Sequence, residues 1–291
     1  MAFEHKNVDE LIRRVGELPP MPKVAEKGLA LIQDPKSSMA ELADVLALDE
    51  ALASLVLRWV NSPYYGLIHP VSSVRQAVVY LGHNTIRSLI LAASIAAYMD
   101  RAVPGYALER GELWKHAVGV AAGARLAVAR FGPQVAEEAY HAGLLCDIGK
   151  LAFEILLRGV DTARPEWRGR PFSELEAEVF GVDHATLGAE MARRWHLPEP
   201  LIEAIACHHC PSQSTLSERG SLLAAAVHVA DAAVMMMGIG LGRDGLQYAL
   251  DPLACERLGW TEANFHDLVI RVGPLIAEAE AFIQLRRSRQ A

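Results

Sequence analysis

The chain is poor in the features that usually betray a compartment or a partner. It has four cysteines, Cys146, Cys207, Cys210 and Cys255, and their spacing offers no disulfide framework. The longest apolar run, residues 89–99, is interrupted by Ser94 and falls well short of the roughly 20 residues a spanning helix needs. The opening MAFEHKNVDELIRR mixes both charges without an apolar signal region, so a cytoplasmic protein with no membrane contact is expected. No stretch alternates apolar and polar residues in the two-residue period of a strand. Positive charge is also short. The net charge of −7 removes the electropositive surface of a nucleic-acid binder, and the basic cluster at Arg286, Arg287 and Arg289 reads as a solvated helix end.

What is present is a globular composition, 52% hydrophobic and 22% charged, with apolar residues recurring every three or four positions. This predicts an all-α fold, a multi-helix bundle with an N-terminal helical subdomain. Ser38 with Glu41, and Ser173 with Glu176, have the S-x-x-E spacing of a capping box. Asp49 is positioned to cap a helix bearing Leu52, Leu55, Val56 and Trp59, which Pro63 would end. Residues 73–99 read as two helices broken near Gly82, and Pro104-Gly105 as a boundary. Further helices are expected near 109–130, 135–146, 173–195, 199–209 and 218–236, with a long one from 261 to about 287. The organisation expected is 1–103, 104–240 and a C-terminal helical extension over 241–291.

Residues 140–150, YHAGLLCDIGK, nearly reproduce the His-Asp dyad and Ile-Gly-Lys sequel of the HD superfamily, with Cys146 standing where the dyad histidine belongs. LPPMP, NSPYYG and SSVRQAVVYLGHNTIRSL precede this segment. FGVDHATLGAEMARRWHLPEPLIEAIACHH and Val229-Ala230-Asp231 follow it. In this order the blocks resemble the HDOD family, the HD-related output domain of bacterial signalling proteins, over roughly residues 10–240. The resemblance implies a metal pocket formed by His116, Asp147, His184, His208, His209 and Asp231, with Lys150 as a phosphate contact. Such nitrogen and oxygen donors suit iron, manganese or zinc.

Helical geometry agrees with convergence. Leu201, Ile202 and Ile205 define a buried stripe with His209 near its middle and His208 at its flank. His184 leads a face through Leu187, Met191 and Trp195, and His116 shares one with Gly119, Val120 and Gly123. Each histidine also fits a hydrogen-bonded core role, Asp147 a capping role and Asp231 a satisfied core carboxylate. Loss of the dyad imidazole costs at least about 2 kcal/mol of metal affinity. Cys146 could replace it as a thiolate, biasing the site toward zinc, or be a buried thiol. After His209 the chain reads Cys-Pro-Ser-Gln, without the Gly-Tyr-Pro triplet of the cyclic-dinucleotide hydrolases.

Other motifs are weaker. Residues 143–150 miss the P-loop spacing, and Cys207-His208-His209-Cys210 lacks a second pair for zinc. Arg58, Arg75, His83 and Arg87 form a thin basic footprint for helix-turn-helix binding. Residues 1–100 show no phosphoacceptor βα pattern, so input from another chain or a ligand is expected. The resemblance therefore implies a non-catalytic signalling output or scaffold module that binds signalling proteins and a phosphorylated, nucleotide-like ligand. The alternative is a metal-dependent phosphohydrolase or phosphodiesterase of HD type, altered at Cys146.

Overall fold

The computed structural model describes residues 67–162, 164–243 and 245–290, together with 11, 27, 28, 30, 31, 34, 36–48, 53, 54, 56, 57, 60 and 61. Its fold is all-α. Among the described residues there is no strand, and an isolated bridge pairs Val103 with Leu108. Contacts divide these residues into two compact units, one within Pro19–Tyr98 and one within Met1–Leu18 and Met99–Ala291. The Asp49-capped helix start, LPPMP and residues 62–66 of NSPYYG lie outside the described residues.

In the smaller unit, α1 (Met39–Ala47) opens on the expected capping box. Ser38 Oγ accepts from Glu41 N at 3.2 Å and Glu41 Oε2 accepts from Ser38 N at 2.8 Å. Leu42, Ala43 and Leu46 turn inward with Val56, Val60, Ala77, Val78, Ile86 and Ile90. Asn61 ties off the following loop, its amide donating to the Val71 carbonyl and its carbonyl accepting from Val71 N, both at 2.7 Å. α2 (Val74–Met99) is broken at Gly82, whose φ of 75° is a left-handed conformation that suits glycine. Arg75 is paired with Asp44 at 2.7 Å, both side chains exposed.

The larger unit is built around α9 (Glu218–Met236). This helix packs on α3 (Glu112–Ala127), α4 (Pro133–Leu145), α8 (Glu199–Cys207), α10 (Pro252–Leu258) and α11 (Glu262–Gln290). α9 is long and apolar enough to cross a membrane, but 78% of its apolar window is buried inside this fold. Its apolar surface runs all round because neighbours surround it. Gly119 and Gly123 of α3 let α9 and α11 approach closely, since a Cβ at Gly119 would sit 2.9 Å from Ile276 and one at Gly123 2.9 Å from Ala230. Phe265, Leu268, Val272 and Ile276 of α11 thus complete the core.

Several sequence expectations need correction. The helix expected over 173–195 is two, α6 (Phe172–Phe180) and α7 (His184–Arg194), parted by left-handed Gly181 and restarted by the cap from Asp183 to Thr186 N at 2.8 Å. Ser173 and Glu176 form no capping box. Pro171 stands at the N-cap of α6 without a side-chain bond, and Glu176 is buried elsewhere. The helix expected over 199–209 ends at Cys207. Two helices went unread, α5 (Gly149–Leu157) and α10.

Candidate metal centre

α4 runs into Cys146, and the turn Asp147-Ile148 leads directly to α5. Gly149 is the residue that makes this turn useful. A Cβ there would overlap the carbonyl oxygen of His184 and lie 2.7 Å from Gly188 N, so only glycine lets α5 meet α7 backbone to backbone. The close approach sets Asp147 and Lys150 beside His184, the first residue of α7. His208 and His209 follow the last turn of α8, His116 comes from α3 and Asp231 from α9.

All six positions meet at one point. Asp147, His184, His208 and His209 offer ligand atoms within 4.8 Å of one another, enough for this group to hold a metal ion. Asp147 is the centre: its Oδ1 lies 3.3 Å from His184 Nε2 and 3.8 Å from His208 Nε2, its Oδ2 3.4 Å from His116 Nε2 and 2.9 Å from Lys150 Nζ. Asp231 closes the group, Oδ1 at 2.9 Å from His116 Nε2 and Oδ2 at 4.0 Å from His209 Nδ1. His209 Nε2 lies 2.8 Å from His184 Nε2.

The histidines are aimed from behind. His116 Nδ1 donates to the Ile239 carbonyl at 3.1 Å, His208 Nδ1 to the Ile205 carbonyl at 2.7 Å, and His184 Nδ1 to Glu176 Oε2 at 2.7 Å. Each bond fixes the ring and turns Nε2 into the pocket, as outer partners do for metal-ligating imidazoles. His116 Nε2, His208 Nε2, His209 Nδ1 and Asp147 Oδ1 are buried and make no hydrogen bond. Orphaned atoms of this kind, converging, are what a cation would satisfy.

The electrostatics ask for positive charge at the same point. Burial opposes ionisation of Asp147, yet Lys150, His184 and His116 hold its carboxyl well below the usual range. Burial also opposes a charge on His184, but Glu176 and Asp147 push it up to about 10. His116 is raised against its burial by Asp231 and Asp147, whereas burial and their histidine neighbours lower His208 and His209. Lys150 Nζ brings a further cation to the pocket, 2.9 Å from Asp147 Oδ2.

Cys146 takes no part in the cluster. It is fully buried in the core, its thiol donating to the Gly143 carbonyl at 3.2 Å, and burial followed by the charges of Asp147 and Asp231 pushes that thiol well up. Its Sγ is thus aimed at the backbone of α4 rather than at the cluster.

Sequence reasoning missed the supports. Glu176 accepts from His184 N at 2.7 Å as well as from its ring, and from the hydroxyl of Tyr106. Ile239, Gly240 and Tyr248 cover the other side. Ile239 supplies the carbonyl for His116, Gly240 at φ 70° leaves no room for a Cβ against the His116 ring, and Tyr248 stacks on His209 at 4.3 Å and 15°. The only local signal was the glycine run Gly238, Gly240 and Gly242.

The family model of the HDOD domain matches residues 18–211. The chain belongs to the HDOD family. An HDOD domain protein of unknown function from Geobacter sulfurreducens is 26% identical with a TM-score of 0.66, covering 97% of this chain and 95% of its own. A candidate phosphohydrolase from Shewanella amazonensis is 25% identical with a TM-score of 0.61, covering 91% of this chain and 97% of its own. An uncharacterized protein of Treponema pallidum is 28% identical over 202 residues, 67% of this HDOD chain. The matched stretch is only 38% of that relative's length.

Proposed function

We propose that this HDOD chain is a signal-transduction output module that holds a divalent metal ion without hydrolysing phosphate esters. The observation that carries the reading is the placement of Cys146 at the dyad position, fully buried in the core with its Sγ on the Gly143 carbonyl at 3.2 Å and outside the group of converging donors. Two features support it. The side chains of His116, Asp147, His184, His208, His209 and Asp231 are each at most 9% exposed, which leaves a phosphate ester no direct approach. Lys150, the expected phosphate contact, is engaged with Asp147.

Asp147, His116, His184, His208, His209 and Asp231 would hold the ion, and their imidazole and carboxylate donors suit iron, manganese or zinc. In a hydrolase such an ion supplies an activated water and polarises the phosphoryl oxygen. Here the assembled donors fix α3, α5, α7, α8 and α9 around one point, so the pocket stabilises a surface that signalling proteins can recognise. Elemental analysis of protein purified without chelator, together with assays on bis-p-nitrophenyl phosphate and a cyclic dinucleotide, tests both halves. Bound metal with no turnover is expected. Turnover would overturn the non-catalytic half, and protein that neither carries nor takes up metal would overturn the other. The convergence of the remaining donors favours a second reading, the altered phosphohydrolase. A Cys146→His variant that gains turnover would locate the block at that residue.

A further inference from the structure

Away from the metal centre, four arginines line one cavity of ≈ 210 Å³. Arg164, Arg168 and Arg170 come from the segment between α5 and α6, and Arg243 from the segment after α9. Trp167 and Phe172 form part of its apolar wall. Arg170 is paired with Glu174 at 3.5 Å and Glu178 at 2.9 Å. Among the described residues, Arg164, Arg168 and Arg243 have no carboxylate partner. Guanidinium groups gathered on one cavity repel each other and lower their energy by sharing an anion, and their planar forks match phosphate oxygens bidentately. The same cavity is lined by a half-buried indole, a ring type on which flat heterocycles stack.

We infer that this cavity binds a nucleoside phosphate, its phosphate on Arg164, Arg168 and Arg243 and its base against Trp167. The inference rests on the proposed output role only in that an output module needs an input, and it places that input outside the metal pocket. Tyr106 and Glu176 link the two sites. The Phe172 ring packs on Tyr106 at 4.9 Å, Tyr106 donates to Glu176, and Glu176 orients His184. On the other wall, Arg243 N donates to the Tyr106 carbonyl at 3.0 Å. Arg243 also lies on the 239–248 segment whose Ile239 and Tyr248 hold His116 and His209. A ligand on the arginines would therefore touch residues that position the metal pocket.

The test is calorimetric titration of the full chain with guanosine 5′-monophosphate, adenosine 5′-monophosphate, ribose 5-phosphate and inorganic phosphate, with tryptophan fluorescence followed in parallel. A nucleotide is expected to bind at least about tenfold tighter than inorganic phosphate and to quench fluorescence. Trp167→Phe should abolish the quench. Arg168→Ala and Arg243→Ala should each weaken binding at least about tenfold. Arg168 and Arg243 are exposed, so both variants should melt with the parent protein. No saturation by about 1 mM nucleotide, or affinities indifferent to both arginine variants, would overturn the inference. So would equal affinity for inorganic phosphate. Metal measured on the same samples separates the two readings. Nucleotide binding lost with metal retained touches only this cavity, whereas a hydrolysed probe overturns the non-catalytic role and leaves the cavity standing.

Discussion

Glu203 on α8 and Asp147 at the end of α4 are both buried carboxylates of the larger unit, yet their surroundings differ in kind. Glu203 is enclosed by donors: Ser214 Oγ at 2.7 Å and Leu216 N at 2.8 Å on one oxygen, Ser217 Oγ at 2.8 Å on the other. It pins the loop after α8 to the start of α9 and leaves nothing to satisfy. Asp147 faces imidazoles and a lysine, and its Oδ1 makes no hydrogen bond. The same contrast divides the histidines. His228 donates from Nδ1 to the His208 carbonyl and accepts Asp251 N at Nε2, both at 2.8 Å, a ring used up by the fold. His116 and His208 spend one nitrogen on the fold and aim the other inward. Burial of a polar group therefore does not mark a site. Several unsatisfied buried atoms converging on one point do.

The largest expected effect falls on the satisfied carboxylate. Glu203→Ala strands several buried donors at about 1–3 kcal/mol each, so a loss of about 3 kcal/mol is expected. For a unit of this size that lowers the melting temperature by about 6–12 °C. Metal content per folded chain should hold. A variant that melts like the parent protein would break the comparison at its structural end. Asp147→Asn should do the reverse. Metal affinity, read by competition with a chelator, should fall at least about 100-fold, near 3 kcal/mol, with a smaller change in melting of chelator-treated protein than Glu203→Ala produces. If Asp147→Asn proves the more destabilising of the two, the Asp147 cluster is a structural network.

Glu176→Gln sharpens the contrast from behind the site. The amide oxygen can still accept from His184 N and its ring, while the charge that raises His184 is gone. Metal affinity should drop about 10–100-fold by the same competition, the range seen when an outer partner of a ligating histidine is altered. An unchanged affinity would mean that Glu176 positions α7 and does nothing for the metal.

Glu176 also shows where sequence reading stops. The all-α class, the Ser38 cap, the Gly82 break and the convergence of the six pocket residues were legible, because they rest on local spacing or on motif blocks. Glu176 carries an equally good local signal, S-x-x-E with Ser173, and that signal points the wrong way. Its real partners are Tyr106 and His184, the first of them 70 residues distant, and contacts at that range leave no period in the sequence. α5 was hidden for a related reason. Its nine residues follow the dyad turn without a cap, so nothing marks its start except Gly149, whose role is visible only once α7 lies against it. The covering segment 239–248 has neither a helical nor a strand period.

That segment supplies the smallest effect. Tyr248 stacks nearly parallel on His209, the one pocket histidine whose Nδ1 and Nε2 both face other pocket groups, Asp231 at 4.0 Å and His184 at 2.8 Å. His209 has no backbone carbonyl behind it to fix its ring, so the stack does what Ile239, Ile205 and Glu176 do for the other rings. An aromatic pair contributes about 0.5–1.5 kcal/mol beyond its buried area. Tyr248→Leu keeps most of the apolar cover and removes the ring, so metal affinity should fall about 2–10-fold with little change in melting. Tyr248→Phe retains the stack and should restore affinity, which separates ring from hydroxyl. If Leu binds metal as well as Tyr does, residues 239–248 merely cover the pocket and His209 is aimed by Asp231 and His184 alone. If Phe fails as Leu does, the hydroxyl rather than the stack is the device.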